Sequence, residues 1–248
     1  MLNLDKIWSN DGVQSALDLV YPRVCANCGI HNPRASGNLC WECRSDLMPV
    51  QPPYCDCCGD PVSGRIDHDY ICHFCSDIRP AFDRARSAVH YTGPAAEILK
   101  AFKYRRATWL AADLGEILAA LVRQHFDRSR IDAVSYVPLH RSRERERQYN
   151  QSALLARELS SRIETPYMNR ILFRHRKTPT QTSLTAKERI NNVKGSFKFR
   201  NRSWLEGKRL LLVDDVMTTG ATVHECAKTL KQGGAAAVWV ATVARGVM

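Results

Sequence analysis

Residues Leu210 to Thr222 read LLLVDDVMTTGAT: four apolar residues, two adjacent carboxylates, two more apolar residues, then a Thr-Thr-Gly-Ala-Thr turn. Leu210 to Val213 is expected as a central strand and Thr219 to Lys231 as the helix that follows it. Successive side chains of a strand point to opposite faces, so Asp214 and Asp215 can serve one ligand only if the strand stops there and the backbone turns. The turn offers three hydroxyls, a glycine that admits close approach or positive φ, and the unpaired N–H groups of a starting helix, a set suited to phosphate. With one glycine and no following Gly-Lys-Ser/Thr, it is neither a Walker A loop nor a dinucleotide fingerprint. Capping alone would use an Asp or a Thr, but not both acids, the glycine and the third threonine together.

Carboxylates beside a phosphate need a neutral or cationic neighbour, and sugar hydroxyls with Mg²⁺ meet that need. Phosphate on the amides and ribose on the acids describes a 5-phosphoribosyl group. The segment resembles the signature of type I phosphoribosyltransferases, every position of which is filled here. Around it, Ile131 to Val137 reads as a buried strand and Ala236 to Val243 as another, so that strand, helix and strand argue a parallel sheet. Ala88 to Tyr91 reads as a short strand, Thr108 to Phe126 as an amphipathic helix, and Asn150-Gln151 as the opening of a further helix. Basic residues at the end of AAEILKAFKYRR, Lys103 among them, suit a helix dipole or a phosphate.

A chain of 248 residues exceeds one average domain and accommodates an α/β core with a smaller appendage. No apolar run approaches membrane-spanning length, and the start MLNLDKIWSNDG lacks the basic flank and apolar stretch of an export signal, so a cytoplasmic protein without membrane insertion is expected. The net charge of +11 implies attraction to polyanions, DNA, RNA and sugar phosphates alike. Eight of the ten cysteines form four pairs at knuckle spacing: Cys25 and Cys28, Cys40 and Cys43, Cys55 and Cys58, Cys72 and Cys75. They supply ligands for two structural Zn²⁺ sites of four thiolates each, with redox disulfides as the alternative. Sequential pairing of Cys25 through Cys43 and Cys55 through Cys75 is expected over an interleaved arrangement. Cys57 is spare, and His68 or His73 could replace a thiolate. Two such sites would lower the net charge to roughly +7. Residues 1–20 then read as an N-terminal helix, 21–79 as a double zinc ribbon and 80–248 as the phosphoribosyltransferase-like domain.

The paired cysteines, FKYRR, VPLHRSRERERQYNQ, TPTQTSLTAKERINNVKGSF and VDDVMTTGAT together resemble the ComF family of late competence proteins over nearly the whole chain. The resemblance implies a type I phosphoribosyltransferase-like α/β fold, a parallel sheet flanked by helices, with a small N-terminal double zinc ribbon. It implies that Asp214 and Asp215 take the ribose hydroxyls, that Thr218, Thr219, Gly220, Ala221 and Thr222 take the 5-phosphate, and that Val216 and Met217 between them also belong to the ligand-binding segment. Leu139, His140 and Arg141 form the pyrophosphate loop, and Gln181 to Asn192 a flexible lid in which Lys187 and Arg189 are candidate clamps. Asp214, Asp215, Arg141 and Arg189 are the expected catalytic set, and the ligand is 5-phosphoribosyl 1-pyrophosphate with Mg²⁺, its phosphoribosyl group transferred or hydrolysed.

One departure stands out. The family commonly has Gly-Phe-Asn-Gln where this chain has Gln148-Tyr149-Asn150-Gln151, which matters if position 148 needs positive φ. The competing reading is a non-catalytic accessory in DNA uptake that handles single-stranded DNA with its ribbons and basic surface. Trp41, Tyr54, Tyr70 and Phe74 could stack bases there, or serve as the small core of the zinc modules.

Overall fold

The structure is a computed structural model that describes residues 24–30, 37–178, 186–200 and 202–246. The N-terminal helix expected over residues 1–20 and the part of the expected lid from Gln181 to Thr185 lie outside the described residues. In the cysteine-rich region stand two short helices, α1 (Trp41–Ser45) and α2 (His73–Ile78). Then come β1 (Arg84–His90), α3 (Gly93–Tyr104), α4 (Ala111–His125), β2 (Ala133–Tyr136), α5 (Arg141–Arg147) and α6 (Gln151–Arg162). A ribbon follows, β3 (Leu172–Arg174), α7 (Ala186–Val193) and β4 (Phe197–Phe199), and the chain closes with α8 (Arg202–Leu205), β5 (Arg209–Met217), α9 (Ala221–Gln232) and β6 (Ala237–Arg245).

Four parallel strands form the sheet in the order β1-β6-β5-β2. Its central strand is covered on both sides, which is why Leu210 to Val213 reads as an unbroken apolar run. The period of two still sorts those residues: Leu210 and Leu212 enter the core that holds Val223, Ala227 and Leu230 of α9. Leu211 and Val213 enter the opposite core with Leu114 and Leu118 of α4 and Leu155 and Leu159 of α6. Each such leucine contributes about 1.5–3 kcal/mol by burial.

The two cysteine clusters sit on opposite faces of this sheet. Cys25, Cys40 and Cys43 join the core on the α4 side, and Cys55, Cys58, Cys72 and Cys75 the core on the α9 side. Each is clamped by a charge. Asp113 of α4 accepts from Arg44 at 2.9 Å and from the Asn38 backbone N–H. Arg245, at the end of β6, donates to Asp60 at 2.8 Å while only 3% of its surface is exposed.

Three expectations change. β5 does not stop at Val213 but runs on to Met217, because its pairing with β6 continues through Asp214↔Thr242 and Met217↔Arg245. The Arg/Glu-rich stretch after Pro138 to His140, where no helix was expected before Asn150, forms the helix α5. The polar segment between Arg174 and Gly195, weakly periodic in sequence, contains the helix α7, and its flanks pair as an antiparallel ribbon, Leu172↔Phe199 to Arg174↔Phe197.

Candidate functional site

Pairing of β5 with β2 ends at Tyr136↔Val213, where β2 turns away into Pro138 and Leu139. Four residues of β5 therefore project beyond β2, and a cavity of about 280 Å³ opens at the carboxyl end of the sheet. Asp214 and Asp215 leave the strand on opposite faces, yet both line this cavity, because the neighbour that would have divided them is gone.

The two acids are held differently. Asp214 accepts from Ser152 Oγ of α6 at 2.7 Å and from the Asp215 backbone N–H at 2.9 Å. Burial and the adjacent Asp215 charge push its carboxyl up to about 7, against the pull of those hydrogen bonds and of Lys103. Asp215 is 4% exposed and pairs through Oδ1 with Lys103 Nζ of α3 at 2.9 Å. Burial would lower the Lys103 ammonium, but the charges of Asp215 and Asp214 outweigh it and hold it above the ordinary lysine value. Asp215 Oδ2 is buried with no hydrogen-bond partner. A buried acceptor of this kind needs a donor, and a sugar hydroxyl or a water on Mg²⁺ fits it.

At the end of β5, Val216 to Thr222 surround a smaller cavity of about 40 Å³ at the start of α9. Gly220, the N-cap at φ 74°, has no side chain to cap the helix, and Thr219 Oγ1 accepts from the Ala221 N–H at a long 3.4 Å. At that φ a side chain is strained, and a Cβ at Gly220 would also stand 2.8 Å from Met217 Cε, which is why glycine suits the turn. Thr218 and Thr222 also reach the larger cavity, so the turn and the carboxylates share one space.

The basic residues are redistributed relative to the sequence expectation. Leu139 lines the carboxylate cavity, but His140 and Arg141 line a neighbouring cavity on the other side of the loop. Arg143 and Arg147 face the carboxylates instead. The cause is α5: positions four apart share a helical face, so 143 and 147 look one way while 141 and 145 look another. Arg147 donates to Gln151 and lies 4.9 Å over the ring of Tyr104. The backbone of Arg189 lies in α7; its side chain and that of Lys187 lie outside the described residues. Gln148 ends α5 at φ 69°, so the position where the family commonly has glycine does adopt the left-handed conformation. Asn150 then caps α6, accepting from the backbone of Ser152 and Ala153.

Lys103, read from the sequence as a base for a helix dipole or a phosphate, is instead the partner of Asp215; it follows Leu99 by one helical turn, on the apolar side of α3. Two further contributors were not singled out from the sequence. Ser152 gave no signal, because its partner is distant in sequence. Arg174 is 8% exposed and lines both cavities.

Cys25, Cys28, Cys40 and Cys43 gather their sulfurs within 4.8 Å of one another, as do Cys55, Cys58, Cys72 and Cys75. The expected sequential pairing is the one present. Backbone N–H groups of Cys40 and Cys72 point at the sulfurs of Cys25 and Cys55 at 3.3 Å, as suits thiolates. Gly29 and Gly59 follow two of the pairs at φ 73° and 67°. Four converging thiols fit a tetrahedral structural Zn²⁺ with no open position, in each of two sites. Cys57, His68 and His73 stand outside both clusters, and Cys226 is a buried core residue.

Strand order and cysteine clusters thus define a phosphoribosyltransferase-type fold carrying two zinc-knuckle modules. Residues 16–78 match the family described as Double zinc ribbon domain and residues 150–246 the one described as Phosphoribosyl transferase domain. Competence protein F of Haemophilus influenzae is 31% identical over 89% of this chain and 96% of its own length. DNA utilization protein YhgH of Escherichia coli is 30% identical over 82% of this chain and 94% of its own. The chain belongs to the ComF family of competence proteins. Among solved structures, the glutamine phosphoribosylpyrophosphate amidotransferase of B. subtilis aligns with 53% of this chain and 25% of its own at 23% identity and a TM-score of 0.36. At that score the family matches and the strand order carry the fold.

Proposed function

We propose that the protein binds 5-phosphoribosyl 1-pyrophosphate and transfers or hydrolyses its phosphoribosyl group. The observation that carries this reading is the shared cavity onto which two carboxylates and the Thr-Gly start of α9 both open. The 5-phosphate would rest on the turn from Thr218 to Thr222, and the ribose hydroxyls would donate to Asp214 and to the orphan Oδ2 of Asp215. Lys103 and Ser152 are the residues that fix the two acids. A nucleophile or water then forms a bond to C1 as the C1–oxygen bond breaks, and the electron pair leaves with pyrophosphate. Arg143, Arg147 and Arg174 face that departing charge, and we keep Arg189 of α7, from the expected lid, as a further clamp on it, while Arg141 lines the neighbouring cavity. Mg²⁺, when bound, would neutralise pyrophosphate oxygens. We place the protein in the cytoplasm and divide it at residues 20 and 79, as the composition suggests. No described helix is long and apolar enough to cross a membrane.

Calorimetry with the sugar pyrophosphate, with and without Mg²⁺, tests the reading. Saturable binding that Asp214→Asn weakens at least tenfold is expected, and release of pyrophosphate with an added base or amine would establish turnover. A protein that ignores the sugar pyrophosphate would end it.

One observation favours a second reading, handling of single-stranded DNA in uptake, which also suits the names of the relatives. Tyr70 and Phe74 pack against the second cluster and Tyr54 lies 4.7 Å beneath Arg86, as small-core residues do. Trp41 of α1 does not; it is 79% exposed and available to stack on a base. Binding of an oligonucleotide with a steep salt dependence, weakened by Trp41→Ala and untouched by Asp214→Asn, is its signature.

A further inference from the structure

Beyond the loop Pro138 to Arg141 lies a larger cavity, about 520 Å³, walled on its far side by the β3–β4 ribbon. The parallel bridge between His140 and Arg174 ties the ribbon to the loop, so the wall is built from backbone pairing. The two cavities have Pro138, Leu139 and Arg174 in common, and neither carboxylate of β5 lines the larger one.

Its charge is one-sided. Arg141, Arg170, Arg174 and Arg200 line it with His140 and His175, against the single acid Glu144. Among the described residues, none of the four arginines lies within ion-pair distance of a carboxylate. Arg174 is the most confined: it donates to Thr178 Oγ1, lies 5.3 Å over the Phe197 ring, and keeps a buried Nε without a partner. Desolvation and the Arg174, Lys177, Arg145 and Arg143 charges hold His140 below the ordinary imidazole value, so the ring does not add to the repulsion near neutral pH. Guanidinium groups gathered without counter-charge repel one another, and the arrangement is relieved when an anion completes it.

The wall also has a flat apolar part. Phe173 is half-buried with the guanidinium of Arg200 5.0 Å over its ring, and Tyr136 stands nearby, stacked on Tyr167. A planar heterocycle placed against Phe173 would meet both the ring and the guanidinium. The volume falls within the range of small-ligand sites.

We propose that this cavity binds a nucleoside monophosphate, its phosphate on the arginines of the loop and ribbon and its base against Phe173 and Arg200. The ligand lies one wall away from the phosphoribosyl site, and Arg174 senses both. It is bound whether or not the carboxylate cavity works as assigned above, because the two share so little of their lining.

The test is calorimetry on the full chain with adenosine 5′-monophosphate, adenosine and inorganic phosphate as separate probes. Asp214→Asn serves as the background, so that binding through ribose hydroxyls at the carboxylates is suppressed. The nucleotide should bind at least about tenfold more tightly than either fragment. Arg170→Ser and Arg200→Ser should each weaken it about tenfold or more, consistent with the loss of a charge-assisted contact. Phe173→Leu should weaken the nucleotide and leave inorganic phosphate unchanged. Circular dichroism confirms that each variant is folded, and two exposed arginines are substituted so that one failed variant does not decide the matter. The proposal falls if the nucleotide does not bind in the Asp214→Asn background, or if binding there survives both arginine substitutions. It falls equally if only a DNA oligonucleotide binds and the mononucleotide does not.

Discussion

Asp214→Asn is expected to make the protein more stable at alkaline pH while it removes an acid from the site. The Asp214 carboxyl titrates near 7 in the fold, because burial and Asp215 penalise its charge, against an ordinary 3.8 when unfolded. Between those values the folded chain holds a proton that the unfolded chain has released, so stability falls as pH rises through about 4 to 7 and levels off above it. A tenfold change in proton affinity is worth about 1.4 kcal/mol, which puts the unfavourable contribution of ionised Asp214 at roughly 4 kcal/mol above pH 7. Asparagine keeps an oxygen to accept from Ser152 and from the Asp215 N–H, and it carries no charge to desolvate. Guanidinium unfolding followed by tryptophan fluorescence at pH 5, 6, 7 and 8 measures the gap between variant and wild type. Zinc–thiolate linkage affects both proteins alike and cancels in the difference. The variant's advantage should be about 1.5 kcal/mol at pH 5, grow through pH 6 and 7, and level off at about 4 kcal/mol by pH 8. A variant less stable than wild type at pH 8, or a gap that does not change with pH, would refute the assignment of a desolvated acid at this position.

Gln148→Gly should stabilise the fold by about 1 kcal/mol in denaturant unfolding, because Gln148 is exposed at φ 69° and a left-handed non-glycine residue costs about 1–2 kcal/mol, partly offset by the freedom glycine gains when unfolded. Lys103→Met should cost about 3–5 kcal/mol at pH 8 by leaving Asp215 buried without a counter-charge. Adding Asp215→Asn to it should recover most of that loss. Asp60→Ala should cost a similar amount through Arg245 and raise the proteolytic sensitivity of the second knuckle before that of the first. Elemental analysis should find two zinc ions per chain, and a strong chelator should unfold the ribbons while the sheet retains its circular dichroism.

How much of this was legible follows from how local each interaction is. The strand-turn-helix from Leu210 and the four C-x-x-C pairs declare themselves within a few residues, and both fold and metal sites follow from them. What lay beyond reach depended on neighbours far along the chain. Two acids look like the end of a strand, yet β6 carries its pairing past them, and only the departure of β2 gives them a common cavity. The arginines from 141 to 147 alternate with other polar residues, so no apolar stripe betrays a helix, and once that helix forms it sends Arg141 to one cavity and Arg143 to the other. Gln148 connects the two levels. A helix in that place must end where α6 begins, the backbone must turn left-handed to do so, and a non-glycine residue there indicates that the geometry is imposed by the packing on both sides of it.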